Sequence, residues 1–268
     1  MPELPEVQTV LDTLALKIKN RKIIDIKIKY KPIVDYPINK FKKELINQHF
    51  RSFKRRGKYL LFEMDDCTLV SHLRMEGKYF ILDESYPLSK HDHIIFYLDN
   101  GKQLRYNDVR KFGRMNIIPL KDDYKDFKNL GPEPFSKDFS LKYCKDYLKD
   151  KNKPIKEVLL DQSFVAGIGN IYADEILYAI GVNPKKKANK LNDQQIQNLI
   201  KNTRSILKKA IKAGGTTIRS YTSSLGVTGR FQLKLNVHTL SECKKCKSKI
   251  KKIVVGSRGT YYCPVCQK

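Results

Sequence analysis

The sequence predicts an α+β protein of two domains. An N-terminal helix and β-sandwich come first, then a helical part that ends in a four-cysteine module. Three observations carry this. Apolar residues recur at helical spacing at the start of the chain. They alternate with polar residues through a series of short segments up to about residue 125. Two C-x2-C pairs then close a C-terminal half whose apolar residues again recur at helical spacing. A chain of 268 residues suits two domains at roughly 100–200 residues each.

Val7, Val10, Leu11, Leu14 and Ile18 form one helical stripe, with Pro5 tolerated in the first turn. Ile24, Ile26 and Ile28 alternate as a strand does. Strand-like runs follow at 58–64, 68–73, 79–82, 93–98, 103–106 and 114–119. Asp99-Asn100-Gly101 is the hairpin turn between two of them. Gly131-Pro132-Glu133-Pro134 punctuates the chain. Helices are expected at 138–149, 154–161, 171–180 and 193–213, the last ended by Gly214-Gly215. Residues 216–236 read as a Thr/Ser/Gly loop. The expected domains are 1–125, a linker at 126–134, a helical domain at 135–236 and a metal module at 237–268.

The net charge of +25, from 53 Lys+Arg against 28 Asp+Glu, points to a polyanion: nucleic acid first, an anionic membrane surface second. Only 12 of the 53 cations are arginine, so part of the excess fits A+T-rich codon usage. No apolar run reaches the roughly 18–20 residues of a membrane span, and Glu3 and Glu6 at the start do not fit a signal peptide. A cytoplasmic, monomeric, membrane-free protein is expected.

Cys243, Cys246, Cys263 and Cys266 form C-x2-C, 16 residues, C-x2-C. Two such turns close a tetrahedron of thiolates, and a site filled by four sulfurs has no open position for water. One structural Zn²⁺ per chain is therefore expected, with no cofactor for chemistry. The module carries eight Lys and Arg against Glu242 alone, basic enough to face phosphates. Cys67 and Cys144 read as buried small residues.

Five segments bear chemistry. Pro2 becomes a free secondary amine if Met1 is removed; attacking a sugar C1′, it forms an iminium, and Glu3 beside it can move protons. The same residues also read as an ordinary proline-rich helix start. Lys58 follows a glycine in Arg55-Arg56-Gly57 and meets either a phosphate or plain solvent. Met75, beside Gly77, reads as core filler or as a wedge into a base stack. Arg110, Lys111 and Phe112 sit between two strands, where arginine can read a base edge and phenylalanine can unstack a step. Gly167-Ile168-Gly169-Asn170 opens a helix, with Asn170 as its cap and Lys156 nearby, in the manner of a phosphate site.

In order, PELPEV, RRGKYLL, SHLRMEGKY, YNDVRKFGR, LGPEP, GIGNIYADEIL and the terminal RGTYYCPVCQK span the whole chain. Together they resemble the bacterial formamidopyrimidine-DNA glycosylase family. The resemblance implies a helix–two-turn–helix motif in the C-terminal domain, a zinc finger, and damaged double-stranded DNA held in the cleft between domains. It implies Pro2 as nucleophile, Glu3 as general acid/base and Glu6 as support, with Lys58 on phosphate and the damaged nucleotide. It implies Met75, Arg110 and Phe112 filling the gap left by a flipped base, and His91, Arg110, Lys111, Lys156, Asn170 and Arg258 gripping DNA. Leu4, where the sister family that removes oxidised pyrimidines usually has glycine, favours the oxidised-purine branch. Lys111 stands where arginine is frequent and His238 where tyrosine is common; the lesion-reading loop near Tyr221–Ser224 aligns poorly.

The implied activity is excision of oxidised purines such as 8-oxoguanine and formamidopyrimidines. An AP-lyase step by β,δ-elimination follows, carried out on nucleoid DNA in the bacterial cytoplasm. Two rivals remain: a glycosylase for oxidised pyrimidines, and a damaged-DNA-binding protein without catalysis.

Overall fold

The computed structural model describes residues 1–120, 127–216 and 229–268. Two compact units emerge: Met1–Lys125 with Gly214–Arg230, and Asp126–Ala213 with Phe231–Lys268.

In the first unit, α1 (Leu4–Ile18) begins with a capping box. The Glu3 side chain accepts the Glu6 N–H and the Glu6 side chain accepts the Glu3 N–H. Eight strands follow: β1 (Ile23–Ile28), β2 (Ser52–Arg56), β3 (Tyr59–Glu63), β4 (Cys67–His72), β5 (Lys78–Asp83), β6 (Asp92–Leu98), β7 (Lys102–Asn107) and β8 (Arg114–Pro119). They form two four-stranded antiparallel sheets, ordered β1-β6-β7-β5 and β2-β3-β4-β8. Leu60, Phe62, Leu69, Ile94, Phe96, Leu104 and Tyr106 fill the core with the stripe of α1, Val7 to Ile18. Burial of each such side chain contributes about 1.5–3 kcal/mol.

In this unit one α-helix and one strand escape the sequence reading. A short helix, α2 (Ile38–Leu45), buries only Phe41 and Leu45 among lysines. Strand β2 lies between Arg51 and Gly57, where basic residues mask its alternation; Phe53 packs edge-on against Phe62.

The second unit holds α3 (Leu141–Leu148), α4 (Ile155–Leu160), α5 (Asn170–Ala179) and α6 (Asp193–Lys212), then the hairpin β9 (Lys251–Val255) and β10 (Arg258–Tyr262). Asn192 and Gln195 make a capping box at the start of α6. Gly214 and Gly215, at φ +75° and +77°, turn the chain out of its end in a conformation that suits glycine.

The chain crosses between units at a different place from the one expected. Gly214–Arg230 clusters with the N-terminal unit, whereas the sequence reading keeps 135–236 together. The cause is polar: Thr216 is hydrogen-bonded to Glu6 and bridges to Arg230. Residues 231–234 form a short 3-10 turn within the stretch expected to be loop. Tyr221–Ser224 lie outside the described residues.

Candidate functional site

Met1 is exposed, and the residues directly behind it are enclosed. Pro2, Glu3, Glu6 and Lys58 are all buried. Burial pulls the Met1 amino group below its ordinary 8.0, and Lys58 adds to this; Glu3, Glu6 and Glu76 pull the other way. Glu3 caps α1, Glu6 lies in its first turn, and Lys58 sits in the turn between β2 and β3.

Each group has a reason to be there. The two-residue turn Gly57-Lys58 joins β2 to β3, with Arg56 paired to Tyr59. Gly57 takes φ +56°, and Arg55 holds its carbonyl at 2.8 Å while its Nε reaches Gln8 of α1 at 3.1 Å. The helix thus fixes the hairpin that carries Lys58. The Glu6 Oε2 accepts the Glu3 N–H at 2.9 Å. Its Oε1 accepts the Thr216 N–H at 2.7 Å and the Thr216 hydroxyl at 3.1 Å. Gly215 is required beside it, because a β-carbon there would come within 2.6 Å of that same oxygen. Thr216 was missed by sequence reasoning; no local pattern ties it to a residue 210 positions earlier.

At the end of the sandwich, two turns present the other candidates. His72 Nδ1 accepts the Arg74 N–H at 2.9 Å, and burial with nearby Arg74 and Lys58 holds His72 down at about 3. It therefore stays an acceptor and fixes Arg74 at φ +52°, just before half-buried Met75. In the second turn, the Asp108 carboxylate accepts the N–H groups of Arg110, Phe112 and Gly113, each at 2.9 Å. This local bonding presents Arg110 and Lys111 to solvent and leaves Phe112 48% exposed. The Arg110 guanidinium lies 4.7 Å from the Phe112 ring centre, and the Lys111 ammonium 4.7 Å from that of Tyr30. His91 is joined to this turn, its carbonyl accepting the Asp108 N–H at 3.1 Å.

In the second unit, Asn170 is the first residue of α5, and the cap is Gly169, so the expected asparagine cap is corrected. Asn170 Nδ2 instead donates to the Gly259 carbonyl at 3.0 Å, next to exposed Arg258. The phosphate contact implied for Lys156 is also corrected. Its ammonium is fully enclosed, 2.7 Å from Asp174 Oδ1 and 2.7 Å from the Thr260 hydroxyl. Lys156 ties α4 to α5 and to the start of β10; it does not face solvent.

Losing one member of such a buried pair costs about 3–5 kcal/mol. Lys156→Met should therefore lower thermal stability strongly and leave the salt dependence of DNA affinity unchanged. Arg258→Ala should do the reverse, making the slope of log affinity against log salt shallower by about one. Thermal unfolding beside a salt titration checks both.

The four cysteines converge. All four Sγ atoms lie within 4.8 Å of one another, with Cys243–Cys266 at 3.9 Å and Cys246–Cys263 at 3.4 Å. Zn–S bonds of about 2.3 Å set tetrahedral thiolates about 3.8 Å apart, so the set fits zinc. Burial raises the Cys243 thiol, but the Tyr178 hydroxyl at 3.1 Å and the N–H groups of Lys245 and Cys246 outweigh it and hold it at about 6. Cys67 and Cys144 are buried, and burial pushes them to about 11 and about 12, as inert thiols. The adjacent acids Asp174 and Glu175 anchor the finger to α5. Asp174 takes His238 Nδ1 at 2.7 Å and the Tyr261 N–H at 3.1 Å. Glu175 accepts the N–H groups of Asn236, Val237 and His238.

Comparison with known proteins covers the whole chain. Residues 1–115 match the formamidopyrimidine-DNA glycosylase N-terminal domain, 130–222 the formamidopyrimidine-DNA glycosylase H2TH domain, and 241–268 the zinc finger found in FPG and IleRS. The formamidopyrimidine-DNA glycosylase of Bacillus licheniformis is 47% identical over 274 residues, covering 100% of both chains. That of Bacillus subtilis is 45% identical, covering 100% of this chain and 99% of its own. Lactococcus lactis Fpg, solved with abasic-site DNA, is 44% identical at TM-score 0.94 over 99% of each chain. The same enzyme has been solved with an N7-benzyl-Fapy-dG DNA, at 44% identity and TM-score 0.94 over 100% of each chain. The buried Pro2–Glu6 stretch, the two turns and the thiol cluster thus belong to a chain that is a member of the formamidopyrimidine-DNA glycosylase family, with one structural zinc in its finger.

Proposed function

We propose that this chain is a base-excision DNA glycosylase for oxidised purines in duplex DNA, with an AP-lyase activity at the same amine. The observation that carries the reading is the burial of Pro2 together with Glu3, Glu6 and Lys58 in a member of this family. Freed of Met1, the Pro2 nitrogen attacks C1′ of the damaged nucleotide. The C1′–N bond breaks and the departing base takes up a proton. The sugar opens to an iminium on Pro2, and that cation makes the C2′ hydrogens acidic. Removal of a C2′ proton expels the 3′ phosphate; a second elimination expels the 5′ phosphate. Water then hydrolyses the iminium, which releases the unsaturated sugar fragment and restores the Pro2 amine, and a one-nucleotide gap with phosphate at both ends remains. Glu3 moves the protons, Glu6 holds the helix start, and Lys58 steadies the phosphate.

Surfaces bearing His91, Lys111, Asn170 and Arg258 grip the backbone. Met75, Arg110 and Phe112 occupy the space vacated by the flipped base. The enzyme works as a monomer in the bacterial cytoplasm, on nucleoid DNA. Among the described residues, no helix is long and apolar enough to cross a membrane. Lactococcus lactis Fpg, 43% identical at TM-score 0.94, has also been solved with an oxidised-pyrimidine DNA, which keeps those lesions as a second substrate class. Cleavage of an 8-oxoguanine duplex against a thymine glycol duplex tests the order. Faster turnover of thymine glycol would reverse it.

The base opposite the lesion is read by Arg110. Guanidinium offers donors only. Orphaned cytosine presents two adjacent acceptors, whereas adenine presents one acceptor beside an opposing amino group. A contact of this kind discriminates by about 1–3 kcal/mol. Excision of 8-oxoguanine opposite cytosine is therefore expected to run about tenfold or more faster than opposite adenine. Arg110→Ala should flatten that ratio, and Phe112→Ala should slow both pairs alike. Single-turnover kinetics on the two duplexes measures it.

A further inference from the structure

Tyr106 lies at the end of β7, wholly buried, yet its hydroxyl does not belong to the apolar core. The oxygen sits between two glycines. A β-carbon at either Gly77 or Gly113 would overlap it. Gly77 closes the turn that carries Arg74 and Met75, its N–H donating to the Leu73 carbonyl at 2.9 Å. Gly113 closes the turn that carries Arg110, Lys111 and Phe112. The same hydroxyl is 3.4 Å from Asp108 Oδ2, the oxygen that accepts the Phe112 and Gly113 N–H groups.

Both turns also hold a side-chain-bearing residue at positive φ, Arg74 at +52° and Lys111 at +58°. Such conformations persist only where their surroundings hold them. His72 holds the first turn and Asp108 the second. Neither acceptor links one turn to the other, whereas the Tyr106 hydroxyl touches both. The ring supplies packing, edge-on to Tyr79 at 5.2 Å between centres. The hydroxyl sets the spacing of the two turns, and the glycines leave room for it.

We propose that Tyr106 is a positioning residue that fixes the separation of the Met75 turn from the Arg110–Phe112 turn, with Asp108 as its partner. The inference rests on the reading that these turns enter the DNA together. A wedge residue and a base-reading residue act on one orphaned base step, so their spacing governs both insertion and opposite-base choice. Removing one oxygen frees both turns at once, and misplacement of about 1 Å costs on the order of 10²-fold in rate.

Tyr106→Phe keeps the ring and its packing. Two measurements on the zinc-loaded protein test the proposal. Amide hydrogen exchange without DNA should speed up by about tenfold or more at Gly77, Phe112 and Gly113 together, on the scale by which contacting groups couple, with the sheet interiors unchanged. Single-turnover excision of 8-oxoguanine should slow by about tenfold or more, with little change in KM, and the preference for cytosine over adenine should shrink. In an Arg110→Ala background the second change should add nothing to the lost preference. Unchanged exchange in both turns, or faster exchange in one turn alone, overturns the proposal. If Arg110→Ala itself keeps the cytosine preference, the DNA-contact reading has failed. Exchange then decides alone, and joint acceleration still upholds Tyr106 as the spacer.

Discussion

Chains that retain Met1 are expected to form no covalent adduct with damaged DNA, while chains that begin at Pro2 trap it under borohydride. The difference is electronic. With Met1 in place, the Pro2 nitrogen is an amide whose lone pair is delocalised, and it cannot attack C1′. Once freed, the secondary amine keeps its lone pair and can attack C1′. Pro2→Gly leaves a primary amine, which forms an imine that must be protonated before it withdraws electrons. Its cleavage is expected to slow by about 10²-fold or more, and Glu3→Gln by about 10²–10⁴-fold. Intact mass beside adduct yield reads the first comparison directly. An adduct mapping elsewhere than Pro2, or full-rate cleavage by Pro2→Gly, removes proline as nucleophile.

Zinc removal is the second large effect. The finger buries little: Val237, Cys243, Ile250 and Cys263 form its core, with Leu240 and Tyr261 packed beside them. A module of that size rarely folds without a metal or disulfides. Structural zinc contributes apparent binding energies of about 10–16 kcal/mol, more than the finger can supply from apolar burial. Chelation or Cys246→Ser should therefore unfold residues 241–268 and release the β9–β10 hairpin with Arg258. DNA affinity should fall by about tenfold or more, and the salt slope with it. The N-terminal sandwich has its own core and should keep its far-ultraviolet signature. Isothermal binding and circular dichroism on metal-free protein check both halves; full affinity without zinc would contradict the finger's part.

The elements most legible in the sequence are those set by local periodicity. The α1 stripe, the strands of the sandwich other than β2, α6 with its glycine stop, and the thiol spacing follow from patterns within about twenty residues. What escaped depends on distance. Lys156 reads as a phosphate-gripping cation because its partners, Asp174 and Thr260, lie far along the chain. Thr216 is invisible for the same reason. Asp108 was within reach: Asn-Asp before a short loop is the signature of a side chain that accepts the next backbone N–H groups. Strand β2 was masked by its cations, and α2 by its brevity.

The Thr216 clasp on Glu6 has a consequence for how the protein is made. Synthesis proceeds from the N-terminus, so the eight strands and α1 emerge long before residue 216 exists. Until then Glu6 lacks the two donors that Thr216 provides. A contact spanning 210 residues also closes slowly, because the loop entropy must be overcome first. A nascent chain stalled before Gly214 therefore carries a sandwich whose Glu6 carboxylate still lacks its Thr216 donors. Competence to cut DNA arrives late in synthesis, when the helices that precede Thr216 have already been made.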